Sequence, residues 1–263
     1  MSAGLLDQPR MLREPDAAGL LAEGGIPYVE HGVAGTADEA VAIAERTGYP
    51  VVLKVVSEDI VHKTEAGGVI TGLGDEGALR DGFVQLMATV RARRPEARID
   101  GALVARQVRA GRELIIGAVH DATFGPTVMV GLGGVFAEAL DDVSFRLAPL
   151  QREDALDMLR ELRGFALLGA HRGEGPVDLD AVAGMAVRVG DLVSSHPEIV
   201  EIDLNPVAVS EEGCVALDAR IIVKDTGVET ASGRGGEMAK GEGGDIVDDG
   251  GDRAGGGGEK GAS

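Results

Sequence analysis

Pro50-Val51-Val52-Leu53-Lys54-Val55-Val56-Ser57-Glu58-Asp59-Ile60-Val61-His62-Lys63-Thr64-Glu65-Ala66-Gly67-Gly68-Val69-Ile70-Thr71-Gly72 is the stretch on which the chain turns. A β-branched run carries one interior cation, Lys54, breaks into a polar loop with His62 and Lys63, passes two glycines and resumes as an apolar run. Short apolar runs bounded by turn residues are strands. Lys54 is out of keeping with such a run. An ammonium there either snorkels to water from an edge strand or is buried and needs an anion to offset its desolvation. Phosphate is the commonest small candidate, because an ammonium is a compact point charge suited to it. His62 then lies within reach of the same anion, although alone it reads first as a solvated loop histidine.

The flanking segments build a scaffold around this strand–loop–strand unit. Residues 16–23 have helix-forming composition and stop at Gly24-Gly25, a glycine C-cap; residues 26–33 read as a short strand. Thr36 and Glu39 have capping-box spacing for a helix running to Thr47. Asp75 caps a longer helix whose Leu79, Phe83, Met87 and Val90 share one face. Strands are expected at 103–108, 113–119 and 127–130, the last running into Gly131-Leu132-Gly133-Gly134. Helices follow at 152–162 and 178–193. A final strand pair, 200–204 and 214–223, flanks Asn205-Pro206. From Asp225 onward glycine, acids and small residues leave almost nothing apolar to bury, so that tail is expected to be disordered.

With 263 residues the chain can form one large domain or two modest ones. A net charge of −19 argues against nucleic acid, whose phosphates need a basic face, and against an anionic membrane surface. No apolar run reaches the roughly 18 residues of a membrane span. Residues 1–13 lack the pattern of a secretory signal. Cys214 is the single cysteine, so no internal disulfide can form, and a cytoplasmic setting is expected.

Chemistry collects on four islands. These are Lys54 with His62; the strand pair around Gln107 and Glu113; the glycines of 131–134 followed by Asp141, Asp142 and Arg146; and Asp203, Asn205 and Asp218 on the last strands. Asp203 and Asn205 are two apart, so on a strand both side chains leave one face. Hard oxygens of this kind suit magnesium, although Asp and Asn are equally ordinary turn residues. A lysine for phosphate with an oxygen site for magnesium is the minimal kit for phosphoryl transfer. The 131–134 glycines match neither the Walker nor the GxGxxG spacing.

Residues from about 16 to 224 resemble the β subunit of the ADP-forming acetyl-CoA (acyl-CoA) synthetases, an ATP-grasp domain. The matching segments, in order, begin with Gly25-Ile26-Pro27, Gly48-Tyr49-Pro50-Val51-Val52-Leu53-Lys54, Asp59-Ile60-Val61-His62-Lys63-Thr64, Gly111-Arg112-Glu113-Leu114-Ile115-Ile116-Gly117 and Phe124-Gly125-Pro126. They continue with Gly131-Leu132-Gly133-Gly134-Val135-Phe136, Asp142-Val143-Ser144-Phe145-Arg146-Leu147, Glu201-Ile202-Asp203-Leu204-Asn205-Pro206 and Asp218-Ala219-Arg220-Ile221.

The resemblance implies an α+β ATP-grasp fold, two subdomains gripping the nucleotide. The expected divisions are an N-terminal extension 1–15, subdomains 16–104 and 105–224, and the tail 225–263. It implies ATP or ADP and Mg2+ as ligands. Lys54 would contact phosphates; Ala105, Arg106, Gln107 and Val108 would present backbone groups to the adenine edge; Glu113 would lie near the ribose; Asn205 and Asp218 would hold magnesium. His62 would be a phosphohistidine carrier, with Asp203 orienting its ring. A CoA-binding α subunit would be the partner, in an α2β2 assembly. The implied reaction is acyl-CoA plus ADP plus phosphate giving acid, CoA and ATP. This sequence departs from the family pattern at Arg106-Gln107, where a Glu-Met pair is usual, and at Ser57-Glu58, where Ser-Pro is frequent. Two other readings fit the same residues: a generic ATP-grasp carboxylate ligase, which does not need His62, and a nucleotide-sensing subunit without chemistry.

Overall fold

The computed structural model describes residues 9–60, 62–108, 111–134, 142–170, 173 and 175–224. The described residues form two antiparallel sheets, each with helices on one face. The smaller has the order β2-β5-β3-β4, from β2 (His31–Ala34), β3 (Val51–Val56), β4 (Val69–Leu73) and β5 (Gly101–Arg106). Strand β3 is interior, paired with β5 on one side and β4 on the other. Lys54 therefore has no edge from which to snorkel, and it is 8% exposed.

Alternation along the strands separates two faces. Val51, Leu53, Ala102 and Val104 point at helices α2 (Ala37–Thr47) and α3 (Glu76–Arg93), meeting Ala40, Ile43, Ala44, Leu79, Phe83 and Leu86. Val56, Leu103 and Ala105 point the other way, toward Tyr28, Val215 and Leu217. Lys54 pairs with Leu103 and shares that second face. Both expected caps form: Thr36 accepts from the Glu39 N–H at 3.2 Å and Asp75 from the Ala78 N–H at 2.9 Å. The Glu39 carboxylate reaches one residue past the cap, to the Gly35 N–H.

The larger sheet has the order β1-β11-β9-β6-β7-β8, with β10 also on β9. Its strands are β1 (Arg10–Met11), β6 (Arg112–Asp121), β7 (Gly125–Leu132), β8 (Val143–Leu147), β9 (Ile199–Ser210), β10 (Gly213–Ala216) and β11 (Ala219–Val223). One face carries Leu114, Ile116, Val128, Val130, Ile202 and Leu204 into a core with α1 (Glu14–Glu23), α4 (Arg152–Glu161) and α5 (Leu179–Ser195). The other face, with Ile115, Gly117, Met129, Phe145, Asp203 and Asn205, lines an open groove of about 330 Å3.

The end of the chain differs from the sequence expectation. Asn205-Pro206 does not end the strand; β9 continues past it, with a cis peptide at that bond and a register shift against β6, because the flanking residues Leu204 and Val207 are paired with β6 on one side and with β11 and β10 on the other. The expected strand 214–223 is two strands, broken at Leu217-Asp218. Pro206 has no N–H to offer a ladder, and the Leu217 N–H donates instead to the Pro206 carbonyl at 2.9 Å. The N-terminus also differs: β1 pairs with β11, and Ala17 and Leu21 of α1 are fully buried in the core of the larger sheet. The expected division at 104/105 falls inside β5. The tail 225–263, Arg109, Ala110 and Asp141 lie outside the described residues.

Candidate functional site

The second face of the small sheet meets the β10–β11 connection, and a charged cluster fills the junction. Lys54 Nζ donates to Glu14 Oε1 at 2.6 Å and to the Leu217 carbonyl at 2.8 Å, and stands 3.3 Å from Asp218 Oδ1. Lys63, from the His62 loop, reaches the other Glu14 oxygen, Oε2, at 3.0 Å. That contact lacks hydrogen-bond geometry, so it is an ion pair alone. The Tyr28 hydroxyl donates to Glu14 Oε1. Three residues distant from it in sequence, Tyr28, Lys54 and Lys63, thus converge on one carboxylate whose side chain is 1% exposed.

Glu14 opens α1, where the first-turn amides and the helix dipole favour a negative charge. Burial pushes its carboxyl up, but the Lys54 and Lys63 ammonium groups and the hydrogen bonds from Lys54 and Tyr28 outweigh that and bring it down to about 2. Burial lowers the Lys63 ammonium, yet Glu14 and Asp218 hold it above its ordinary value. Asp218 is raised, chiefly by burial and against the attraction of Lys54. The Tyr28 phenol is raised by burial and by the Glu14 charge beside it. Two carboxylates and two ammonium groups make the cluster electrically neutral.

The structure brings together Lys54 and Asp218 of the expected site. Asp218 directly precedes the Ala219–Leu204 pair, opposite Asn205 in β9. Asp203, two residues back on the same face, is half-buried, and its carboxyl is raised mainly by desolvation. Its cross-strand neighbour Arg220 pairs instead with Glu201. His62 is exposed on its loop. Among the described residues, no hydrogen bond joins His62 to Asp203.

On the expected adenine edge, the Arg106 N–H donates to the Glu30 carbonyl at 2.9 Å and the Gln107 N–H to the Pro50 carbonyl at 2.8 Å. The Gln107 side chain accepts from the Gly72 N–H. Val108 faces the β9–β10 hairpin across a cavity of about 390 Å3. Glu113 lies under the glycine stretch: the Gly133 N–H donates to its carbonyl at 2.8 Å, and a Cβ on Gly133 would come within 2.8 Å of its carbonyl carbon. Glycine is needed there for close approach. Of the rest of the third island, the described residues Asp142 and Arg146 make structural contacts. Asp142 accepts from the Arg163 and Gly164 N–H groups, and Arg146 pairs with Glu161.

Glu14 and Tyr28 are members of the cluster that the sequence reading did not single out. Glu14-Pro15 looks like any acidic, proline-bearing first helical turn. Only a buried lysine without a partner, Lys54, signals that some distant carboxylate is missing.

A model of the ATP-grasp domain family matches residues 5–223. The acetate–CoA ligase [ADP-forming] I subunit beta of Pyrococcus furiosus is 45% identical over 214 residues, covering 81% of this chain and 92% of that protein. A solved structure of Ca. Korarchaeum cryptofilum acetyl-coenzyme A synthetase 1, with coenzyme A, Ca-AMPCP and HgCl+, matches with a TM-score of 0.79 and 42% identity, covering 82% of this chain and 94% of that one. Another structure of that enzyme, with coenzyme A and Mg-AMPPCP and its phosphohistidine segment pointing towards the nucleotide binding site, matches with a TM-score of 0.72 and 39% identity, covering 82% and 93%. Identity at this level, over nearly the whole length of the relatives, places the chain in the ATP-grasp family, among the β subunits of the ADP-forming acetate–CoA ligases.

Proposed function

We propose that this chain is the nucleotide-binding β subunit of an ADP-forming acyl-CoA synthetase, working with a CoA-binding α subunit in an α2β2 assembly. The reaction is acyl-CoA plus ADP plus phosphate giving acid, CoA and ATP. The observation that carries this reading is the buried Lys54 at the junction of the two sheets, with Asp218 at 3.3 Å and the His62 loop opening directly after its strand.

In this reading Lys54 binds the terminal phosphates of the nucleotide, and Glu113 lies near the ribose. Ala105, Arg106, Gln107 and Val108 present the adenine edge. Because the N–H groups of Arg106 and Gln107 are taken by neighbouring carbonyls, recognition there falls to carbonyl oxygens and to Val108. Asn205 and Asp218 hold magnesium. An amide oxygen and a carboxylate at adjacent strand positions are the hard, sparse donor set this ion takes when phosphate and water complete its shell. When bound, it neutralises charge on the phosphates.

His62 carries the phosphoryl group between the subunits. Its neutral imidazole attacks phosphorus near neutral pH. In the return step the P–N bond breaks as an ADP β-phosphate oxygen forms the new P–O bond, and the electron pair stays on the ring nitrogen. The ring leaves as neutral imidazole only if its other nitrogen keeps a proton. Asp203, accepting from that N–H, favours the protonated ring. This requires the exposed His62 loop to move onto the open face of the larger sheet.

The test is phosphorylation of the purified chain, alone and with its α partner, using γ-labelled ATP and magnesium. An acid-labile, base-stable label that vanishes in His62→Ala supports the relay. Saturable ATP binding with no label under either condition moves the reading to a carboxylate ligase or a nucleotide sensor.

A further inference from the structure

We infer that Glu14 is a positioning residue that acts as an internal counter-anion, occupying Lys54 and Lys63 in the nucleotide-free protein and competing with the nucleotide's terminal phosphates for them. This deepens the reading above and rests on it. Three observations carry it.

The first is saturation. An ammonium has three protons to donate, and Glu14, the Leu217 carbonyl and Asp218 account for the acceptors around Lys54 Nζ. A phosphate oxygen arriving at Nζ has to displace one of them. The second is sharing. The same carboxylate holds Lys63 through its other oxygen at 3.0 Å, so one buried group pins both the strand lysine and the base of the His62 loop. The third is charge. Glu14, Asp218, Lys54 and Lys63 sum to zero, so the cluster has no net pull on an anion. Without the Glu14 charge the cluster is a buried net cation.

A buried charge deprived of its partner is costly, and a phosphate restores a partner. Removal of the Glu14 charge therefore weakens the nucleotide-free protein while strengthening its hold on phosphate. Such a counter-anion suits a reversible transfer, because a phosphate terminus clamped by two uncompensated lysines leaves slowly.

Glu14→Gln keeps the size and removes the charge. Its equilibrium binding of ADP and of AMP is measured by calorimetry on the full chain, beside melting temperatures with and without ADP. The expected result is ADP binding tighter by about tenfold, the low end of what close charge pairs contribute. AMP, lacking the β-phosphate, stays within about twofold. The ADP-free protein melts lower, and the rise on adding ADP is larger than in the parent. With the α subunit, KM for ADP and kcat both fall. A merely structural role predicts a lower melting temperature with ADP and AMP affinities unchanged or weakened alike, and that overturns the inference. Lys63→Met supplies a second measurement: Glu14 then serves Lys54 alone, and ADP binds more weakly than in the parent. Tighter ADP binding in that variant also overturns it. If the parent chain binds no ADP, the proposed function fails instead.

Discussion

Single residues set the character of the site, and Lys54 is the most exposed to test. Its ammonium is buried against a carboxylate that is itself sealed from water. Lys54→Met leaves Glu14 with only Lys63 and the Tyr28 hydroxyl, and the unmatched charge should cost about 3 kcal/mol of stability, near the lower bound for breaking a buried pair. Urea denaturation checks this; a loss under about 1 kcal/mol means the pair behaves as a solvent-screened one. The Glu14 carboxyl also makes stability depend on pH. Its folded value, about 2, lies below its ordinary 4.5, so its contribution is complete above about 4.5 and is lost as pH falls toward 2. Asp203 and Asp218 run the other way: both are raised, so protonating them favours the folded state as pH falls toward their ordinary value of 3.8. The difference between the parent and Glu14→Gln removes the Asp203 contribution and carries that of Glu14, together with the part of the Asp218 shift that the Glu14 charge causes. That difference in unfolding free energy should be level from pH 5 to 7 and shrink below about 4.5. A difference that persists unchanged to pH 3 shows that the carboxylate charge is not what Glu14 contributes.

At the level of elements, the His62 loop is held by its closing glycines rather than by a tight sheet turn. The Gly68 N–H donates to the Lys63 carbonyl at 2.7 Å, and the Gly68 carbonyl accepts from the Val55 N–H at 2.8 Å. A Cβ there would come within 2.4 Å of Val55 Cγ1 and 3.1 Å of the Lys63 carbonyl oxygen. Gly68→Ala should therefore cost about 1–3 kcal/mol by overpacking and displace Lys63 from Glu14. The check is a thermal melt beside ADP affinity in the same variant. Full stability would show that the loop absorbs the methyl group. The strand–loop–strand unit was plain in the sequence because β-branched runs and paired glycines are local signals. The passage of β9 through Asn205-Pro206 was not: that dipeptide is a turn signal by local chemistry, and pairing with strands on both sides overrides it. The split between β10 and β11 follows from the same proline and was hidden for the same reason.

On the scale of the whole molecule, a net charge of −19 makes self-repulsion part of the stability balance. Raising NaCl from 0.1 to 1 M shortens the screening length from about 10 Å to about 3 Å, and the melting temperature should rise by about 2–4 °C, the shift expected from relief of roughly 1 kcal/mol in a chain of this size. A melting temperature that falls with salt would mean that attractive ion pairs outweigh the repulsion. The larger sheet also depends on the far end of the chain, since β1 lies on β11 and Leu21 completes its core. A fragment of residues 105–224 should accordingly show no cooperative melt unless residues 9–27 are supplied with it; a sharp two-state transition in the fragment alone would show that α1 is dispensable. What the sequence by itself determined were the short-range matters: strands from β-branched runs, helices from caps and apolar spacing, and a lysine out of keeping with the apolar run that carries it. Its resemblance to the ATP-grasp β subunits rested on such motifs, each continuous along the chain. The tertiary structure alone decided which anion meets Lys54, that Lys63 shares it, and that α1 belongs to the larger sheet. Those facts depend on residues 14, 28, 54, 63 and 218 meeting in space, and such a meeting leaves no periodicity or spacing to read, because each residue is locally unremarkable and only the packed sheets bring the charges together.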